Sequence, residues 1–217
     1  YAGTKLIGSD FTEAFGMTES APPCFSNPYP SQQPKVGSPG QAFGNEAKIV
    51  DPANGNTLAH GQPGEIMVRG DNVMKGYYKD RENTARTLHA DGWMHTGDLG
   101  FMDADGFVYV TGRIKELIIK GGENIAPREI DEALLKHPAV LEAAAVGVPD
   151  PRYGQEVAAA VVLKPGCACA ESELKRFCED ELGRYKTPRT IRVLQELPKG
   201  PSGKVQRLKL LDVLLDS

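Results

Sequence analysis

Four short segments of the 217-residue chain carry side chains able to act on an anion or a nucleotide. The loop Pro198-Lys199-Gly200-Pro201-Ser202-Gly203-Lys204 ends on a lysine, a compact point charge on a flexible stem and a good partner for a phosphate or carboxylate. It is not a Walker motif. The spacing is G-x-x-G-K, and Val205 stands where a Ser or Thr would bind magnesium. In Phe15-Gly16-Met17-Thr18-Glu19, Phe15 offers a flat face to a ring, Thr18 a hydroxyl to a phosphate and Glu19 a hard oxygen to Mg²⁺. In Thr96-Gly97-Asp98 an aspartate follows a glycine turn, where it could accept from two vicinal hydroxyls. The fourth segment runs from Gly112-Arg113 to Ala126-Pro127. It carries Arg113, able to reach ribose or phosphate, and the pair Gly121-Gly122, which lets backbone approach a ligand. Taken one at a time, each has a plainer reading: Phe15 as core, Glu19 and Lys204 as solvated charges, Asp98 as a turn residue.

The elements that must position these groups fall into two kinds. Residues 21–44 are rich in Pro, Ser, Gln and Gly and read as irregular loop. Strands are expected at Ala47–Val50, Glu65–Arg69 and Phe107–Thr111, with a short helix at Arg81–Leu88 capped by Asp80. After Gly112 the character changes. Pro127 opens a helix reaching about Lys136; Val140–Val148, Val157–Leu163 and Thr190–Leu194 read as strands. Glu171–Leu182 is amphipathic, with Leu174, Phe177, Cys178 and Leu182 on one face and Gly183 at its end. Arg207–Leu215 is a terminal helix. The expected class is α+β: a small β-rich, distorted barrel-like part over 1–112, then a compact α+β domain with a small sheet and flanking helices over 113–217.

Composition excludes several functions. Hydrophobic residues make up 40%, charged residues 25% and the net charge is −4, a balance that favours neither nucleic acid nor membrane surfaces as partners. Cys24, Cys167, Cys169 and Cys178 form no C-x-x-C pair, and His60, His89, His95 and His137 are scattered without an H-E-x-x-H. No run of apolar residues is long enough to span a membrane, and a soluble cytoplasmic protein is expected.

The order and spacing of the four segments resemble the adenylate-forming superfamily of acyl-CoA synthetases, luciferases and peptide-synthetase adenylation domains. The match runs from about Thr12 to the C-terminus, and Gly112-Arg113-Ile114-Lys115-Glu116-Leu117-Ile118 together with Gly121-Gly122-Glu123-Asn124-Ile125-Ala126-Pro127 looks most like the CoA ligases. The resemblance implies an acid–thiol ligase using ATP, Mg²⁺ and coenzyme A. A carboxylic acid, of fatty or related acyl type, becomes an acyl-adenylate and then a CoA thioester. It implies that Glu13, Ala14 and Phe15 line the adenine site, that Thr18 meets the α-phosphate and that Glu19 meets the metal. Asp98 and Arg113 would hold ribose, and Lys204 would touch carboxylate and α-phosphate. Lys115 would be the pivot of a mobile C-terminal domain, and Gly121 and Gly122 would border the CoA channel. Residues 1–112 would then be the end of the large AMP-binding domain and 113–217 the mobile domain.

Two parts of the family pattern are missing: the Ser/Thr/Gly-rich phosphate loop and the large N-terminal region. The chain therefore reads as a fragment, weak or inactive alone. Two alternatives stand beside the ligase reading: an adenylation domain serving a carrier protein, and a non-catalytic nucleotide- or CoA-binding module.

Overall fold

The computed structural model describes residues 13–27, 35–201 and 203–215. Thr12, the residues before it and Ser202 lie outside that set. The chain divides into two compact units, one ending at Ile114 and the next beginning at Lys115.

The first unit is built on an open antiparallel sheet of four strands in sequential order. These are β4 (Glu46–Val50), β5 (Gly64–Arg69), β6 (Met94–Met102) and β7 (Val108–Arg113). Alternation sorts the side chains of β5 between two buried faces: Ile66 and Val68 pack with Ile49, Met94 and Val108, and Met67 with Val50 and Trp93. Between β5 and β6 lies the helix Arg81–Thr87, whose Asp80 side chain accepts from Asn83 N, as a capping aspartate should. The stretch read as loop is more ordered than its composition suggests. Three two-residue strands, β1 (Ala14–Phe15), β2 (Phe25–Ser26) and β3 (Gln41–Ala42), form a second small sheet. Cys24 and Phe25 are buried in the same core as Ile66 and Met94. Two apolar residues suffice to anchor the stretch, too few to produce a period legible in sequence.

The second unit is a mixed five-stranded sheet with helices on both faces. Strands β10 (Val140–Asp150), β11 (Gly154–Leu163), β8 (Ile118–Lys120) and β9 (Glu123–Ile125) run antiparallel in that order. β12 (Thr190–Val193) pairs in parallel with β11. Along β11, Val157, Ala159 and Val161 turn to one face, where they pack with Ile130 and Leu134 of helix Pro127–Leu135 and Leu174 and Cys178 of helix Glu171–Leu182. Ala158 and Ala160 turn to the other, against Leu210 and Leu214 of helix Arg207–Leu215. Because both faces are covered, the strand reads as a continuous apolar run, Val157-Ala158-Ala159-Ala160-Val161-Val162-Leu163, without alternation. Helix Glu171–Leu182 has the extent expected from sequence, and Gly183 ends it at φ 74°.

Candidate active site

In the first unit three backbone devices set the chemistry-bearing groups. Phe15 pairs with Phe25 across β1 and β2. Their rings lie 5.6 Å apart at 31°, so one part of the Phe15 ring is packed against the core while the residue stays half-buried. Gly16 follows, and a Cβ there would fall 2.1 Å from Pro22 Cβ. Glycine is needed for that close approach, since only a hydrogen fits between the two backbones. Thr18–Ser20 then form a single 3₁₀ turn.

The segment after β5 pins that turn. Met74 N donates to Glu19 O at 2.7 Å and Asn72 Nδ2 donates to Ser20 O at 2.9 Å. The Tyr77 hydroxyl donates to Glu19 Oε1 at 3.1 Å. Burial, and then the Glu19 carboxylate, push the Tyr77 hydroxyl above its ordinary pKa, so it stays a donor. Glu19 is thus held by one oxygen, and Oε2 makes no hydrogen bond among the described residues. A carboxylate with one oxygen fixed and one available fits a hard cation such as Mg²⁺. Thr18 is exposed, as are Glu13 and Ala14. The Glu13 carbonyl accepts from Asn27 Nδ2 at 3.4 Å.

Asp98 and Arg113 come together. They are register partners across β6 and β7, and Arg113 Nε donates to Asp98 Oδ1 at 3.0 Å. Their environments differ: the Asp98 side chain is 6% exposed and that of Arg113 60%. The run Thr96–Asp98 is not the free turn expected from sequence but part of β6, where the register with β5 is interrupted and Gly97 takes φ 71°. Thr96 Oγ1 donates to Ile66 O at 2.7 Å and accepts from Asp98 N at 3.1 Å, so the hydroxyl fixes the aspartate's backbone. The buried Cys24 thiol, raised by burial, is close enough to Asp98 for that charge to push it further the same way.

The second unit presents its groups differently. Gly200 N donates to Lys204 O at 2.9 Å and Gly203 N to Gly200 O at 2.9 Å, closing a small loop that Lys199 and Val205 join as a bridge. The Lys204 side chain is exposed and has no hydrogen bond or ion pair among the described residues. Lys115 is exposed in the single 3₁₀ turn Ile114–Glu116. Gly121 and Gly122 have φ of 55° and 88°, a left-handed pair that side chains disfavour.

Sequence reasoning missed the residues that support these groups. Arg207 opens the terminal helix directly behind the Lys204 loop. It donates from Nε to Glu116 Oε2 at 2.9 Å, from Nη1 to Ala145 O at 2.7 Å and from Nη2 to Asp131 Oδ2 at 2.6 Å. Burial opposes the Arg207 charge, but Asp131 and Glu116 outweigh it and hold the guanidinium more firmly protonated. Its signal was available: an arginine in the first turn of a helix is badly placed for the helix dipole and needs carboxylates elsewhere. Beneath Gly121, Lys120 is buried, with its Nζ 2.5 Å from Glu156 Oε1 and donating to Tyr185 O at 2.8 Å. A lysine closing the apolar run Ile118–Ile119 must find such a partner if it is buried.

The chain has relatives among known proteins. Residues 4–78 match the AMP-binding enzyme family and residues 129–204 the AMP-binding enzyme C-terminal domain. The chain belongs to the adenylate-forming superfamily of AMP-binding enzymes. Among its relatives, sulfoacetate–CoA ligase from Cupriavidus necator is 57% identical over 95% of this chain and 40% of that protein. Oxalate–CoA ligase from Arabidopsis thaliana is 42% identical over 94% of this chain and 39% of its own length. The crystal structure of ATP-bound MatB from Rhodopseudomonas palustris superposes with a TM-score of 0.90 at 36% identity, over 96% of this chain and 41% of that one. The chain therefore spans about 40% of the length of these relatives. Among the described residues no helix is long and apolar enough to cross a membrane.

Proposed function

We propose that this chain is the closing portion of an ATP-dependent acid–CoA ligase. The observation that carries the reading is the Asp98–Arg113 pair: a buried carboxylate on a locked strand, joined to an arginine that is mostly exposed. A buried carboxylate is a fixed acceptor for ribose hydroxyls, and an exposed guanidinium beside it keeps donors for a nucleotide. The family membership and the ATP-bound relative support it.

In the first half-reaction a carboxylate oxygen attacks the α-phosphorus of ATP, the bond to the bridging oxygen breaks, and acyl-adenylate and pyrophosphate form. In the second, the CoA sulfur attacks the acyl carbonyl and AMP leaves, giving the thioester. Two anions must meet in the first step. Lys204 carries its charge to the substrate carboxylate and α-phosphate, and Mg²⁺, which Glu19 would help to hold, offsets phosphate charge when bound. Thr18 donates its hydroxyl to the α-phosphate. Glu13, Ala14 and Phe15 line adenine, with the Phe15 ring as the stacking face. Residues 1–112 close the large domain. Residues 113–217 form the mobile domain, with Lys115 as pivot and Gly121–Gly122 bordering the CoA channel. Four free cysteines fit a reducing, cytoplasmic setting.

The substrate is a small-molecule carboxylic acid. The 57% identity to the relative named for sulfoacetate supports a short acid with a second anionic group over the fatty acyl class expected from sequence. The test uses the full-length enzyme with MgATP, hydroxylamine and a panel of both acid classes, with and without CoA. Hydroxamate from one class, and its CoA thioester when CoA is present, is the expected result. Hydroxamate without thioester would move the acceptor to a carrier protein. No hydroxamate with any acid would favour the binding module.

A further inference from the structure

His89 and His95 have no part in the reaction above, yet they are arranged with some care. His95 is the second residue of β6 and is half-buried; His89 is exposed just before the strand. Their Nε2 atoms lie 2.8 Å apart, with the rings edge to face at 4.6 Å and 70°. Backbone bonds fix the spacing: His89 N donates to Trp93 O at 2.8 Å, Gly92 N donates to His89 O at 3.0 Å, and Leu88 bridges to Met94.

On its other side, His95 Nδ1 lies 2.8 Å from Oε2 of the buried Glu65, whose Oε1 accepts from Gly97 N at 3.2 Å. An ionised carboxylate only accepts, so the Nδ1 of His95 carries the proton and its Nε2 lone pair faces His89. A carboxylate behind one ring nitrogen, with the other nitrogen turned toward a second imidazole, is the arrangement that orients metal-binding histidines.

We propose that His89 and His95 chelate a zinc-class divalent cation through their Nε2 atoms, with Glu65 orienting His95 and water completing the coordination. The cation replaces the proton that His89 Nε2 donates to His95 Nε2, and His89 then carries its proton on Nδ1. Two nitrogens on a tetrahedral zinc lie about 3.3 Å apart, so the rings need open by only about half an ångström, and the exposed His89 is free to do so. Imidazole pairs suit Zn²⁺, Ni²⁺ or Cu²⁺ rather than Mg²⁺, which separates this site from the role given to Glu19.

A second grouping, His137, Cys169 and Glu173, has its candidate ligand atoms within 4.8 Å of one another. There the ring is poised the wrong way: His137 Nδ1 accepts from Ala139 N at 3.3 Å, so a neutral ring carries its proton on Nε2, the nitrogen nearest Cys169 and Glu173.

The test is zinc titration of the full-length enzyme against a chromophoric chelator in excess Mg²⁺. One equivalent should bind, unaffected by magnesium. Affinity should fall about tenfold or more in His89→Gln and in His95→Gln, and on the order of 10–100-fold in Glu65→Gln, which keeps both ligands but loses the orienting charge. His137→Gln should bind as the parent does. His89 is exposed, so His89→Gln reads the site without touching the core, and melting curves of each variant check folding. No bound zinc, binding that survives both His89→Gln and His95→Gln, or binding lost with His137→Gln or Cys169→Ser, would overturn the proposal.

Discussion

The two units present their functional groups in opposite ways. In the first, Asp98 is buried, its backbone is fixed by Thr96, and its partner Arg113 is set by strand register. In the second, Lys204 stands exposed on a short glycine loop, and the order lies behind it, in the partly buried contacts of Arg207. The contrast follows from the work each group is proposed to do. A group that orients neutral hydroxyls gains from a fixed direction and a low dielectric. A group that brings charge to a phosphate needs reach, and its solvation keeps it charged. Glu116, one residue beyond the proposed pivot, is joined through Arg207 to the helix that follows the Lys204 loop, so one partly buried network ties together the elements next to pivot and lysine.

The largest effect on stability is expected at Arg207. Arg207→Ala leaves the buried Asp131 without its cation at a cost of about 3 kcal/mol, the low end for breaking a buried pair from one side, while the more exposed Glu116 adds little. Urea unfolding of the second unit should show that loss, while the first unit keeps its midpoint. Lys204→Ala should do the reverse. Stability should stay unchanged, and adenylate formation by the full-length enzyme should fall on the order of 10²–10³-fold, about 3–4 kcal/mol, by analogy with losing one preorganised donor. Thioester formation from a supplied adenylate should be affected far less. An Arg207→Ala protein as stable as its parent, or a Lys204→Ala protein that unfolds early, would erase the division between positioning and acting groups.

Glycines sharpen the same contrast. Gly16→Ala puts a Cβ against Pro22, a backbone-level clash expected to cost about 1–3 kcal/mol in the first unit. Gly203 has φ 77° and nothing within 4 Å of a Cβ, so Gly203→Ala meets only the left-handed backbone penalty, about 1 kcal/mol. Differential scanning calorimetry of the two variants should rank them in that order.

The smallest effect concerns acid. The N–H groups of Tyr153 and Arg152 hold the Asp150 carboxyl below its ordinary value of 3.8. A carboxylate depressed in the folded state contributes stability above its unfolded pKa and loses it as pH falls through the folded one. Asp150→Asn should therefore lower the stability of the second unit at pH 7, with parent and variant converging below about pH 4. Curves that stay parallel to lower pH would remove Asp150 from the acid response.

The local rules written in the chain determined a good deal. Period and capping gave the helices at Arg81, Pro127, Glu171 and Arg207 and strands β4, β5, β7, β10, β11 and β12, but not β6, because each of those depends on neighbours a few residues away. The four chemistry-bearing segments were legible as residue types at fixed spacings. Other features were settled only by tertiary structure. Phe25 and Cys24 order a proline-rich stretch because a core laid down by distant strands receives them. The Thr96–Asp98 run became strand because β5 and β7 flank it. Glu116 for Arg207, Tyr185 for Lys120, Tyr77 for Glu19 and Glu65 for His95 are partners 30 to 91 residues away in sequence. Burial creates the need for such partners, and burial is a property of the packed molecule: no local pattern says which carboxylate will lie beside a given cation once water has been excluded.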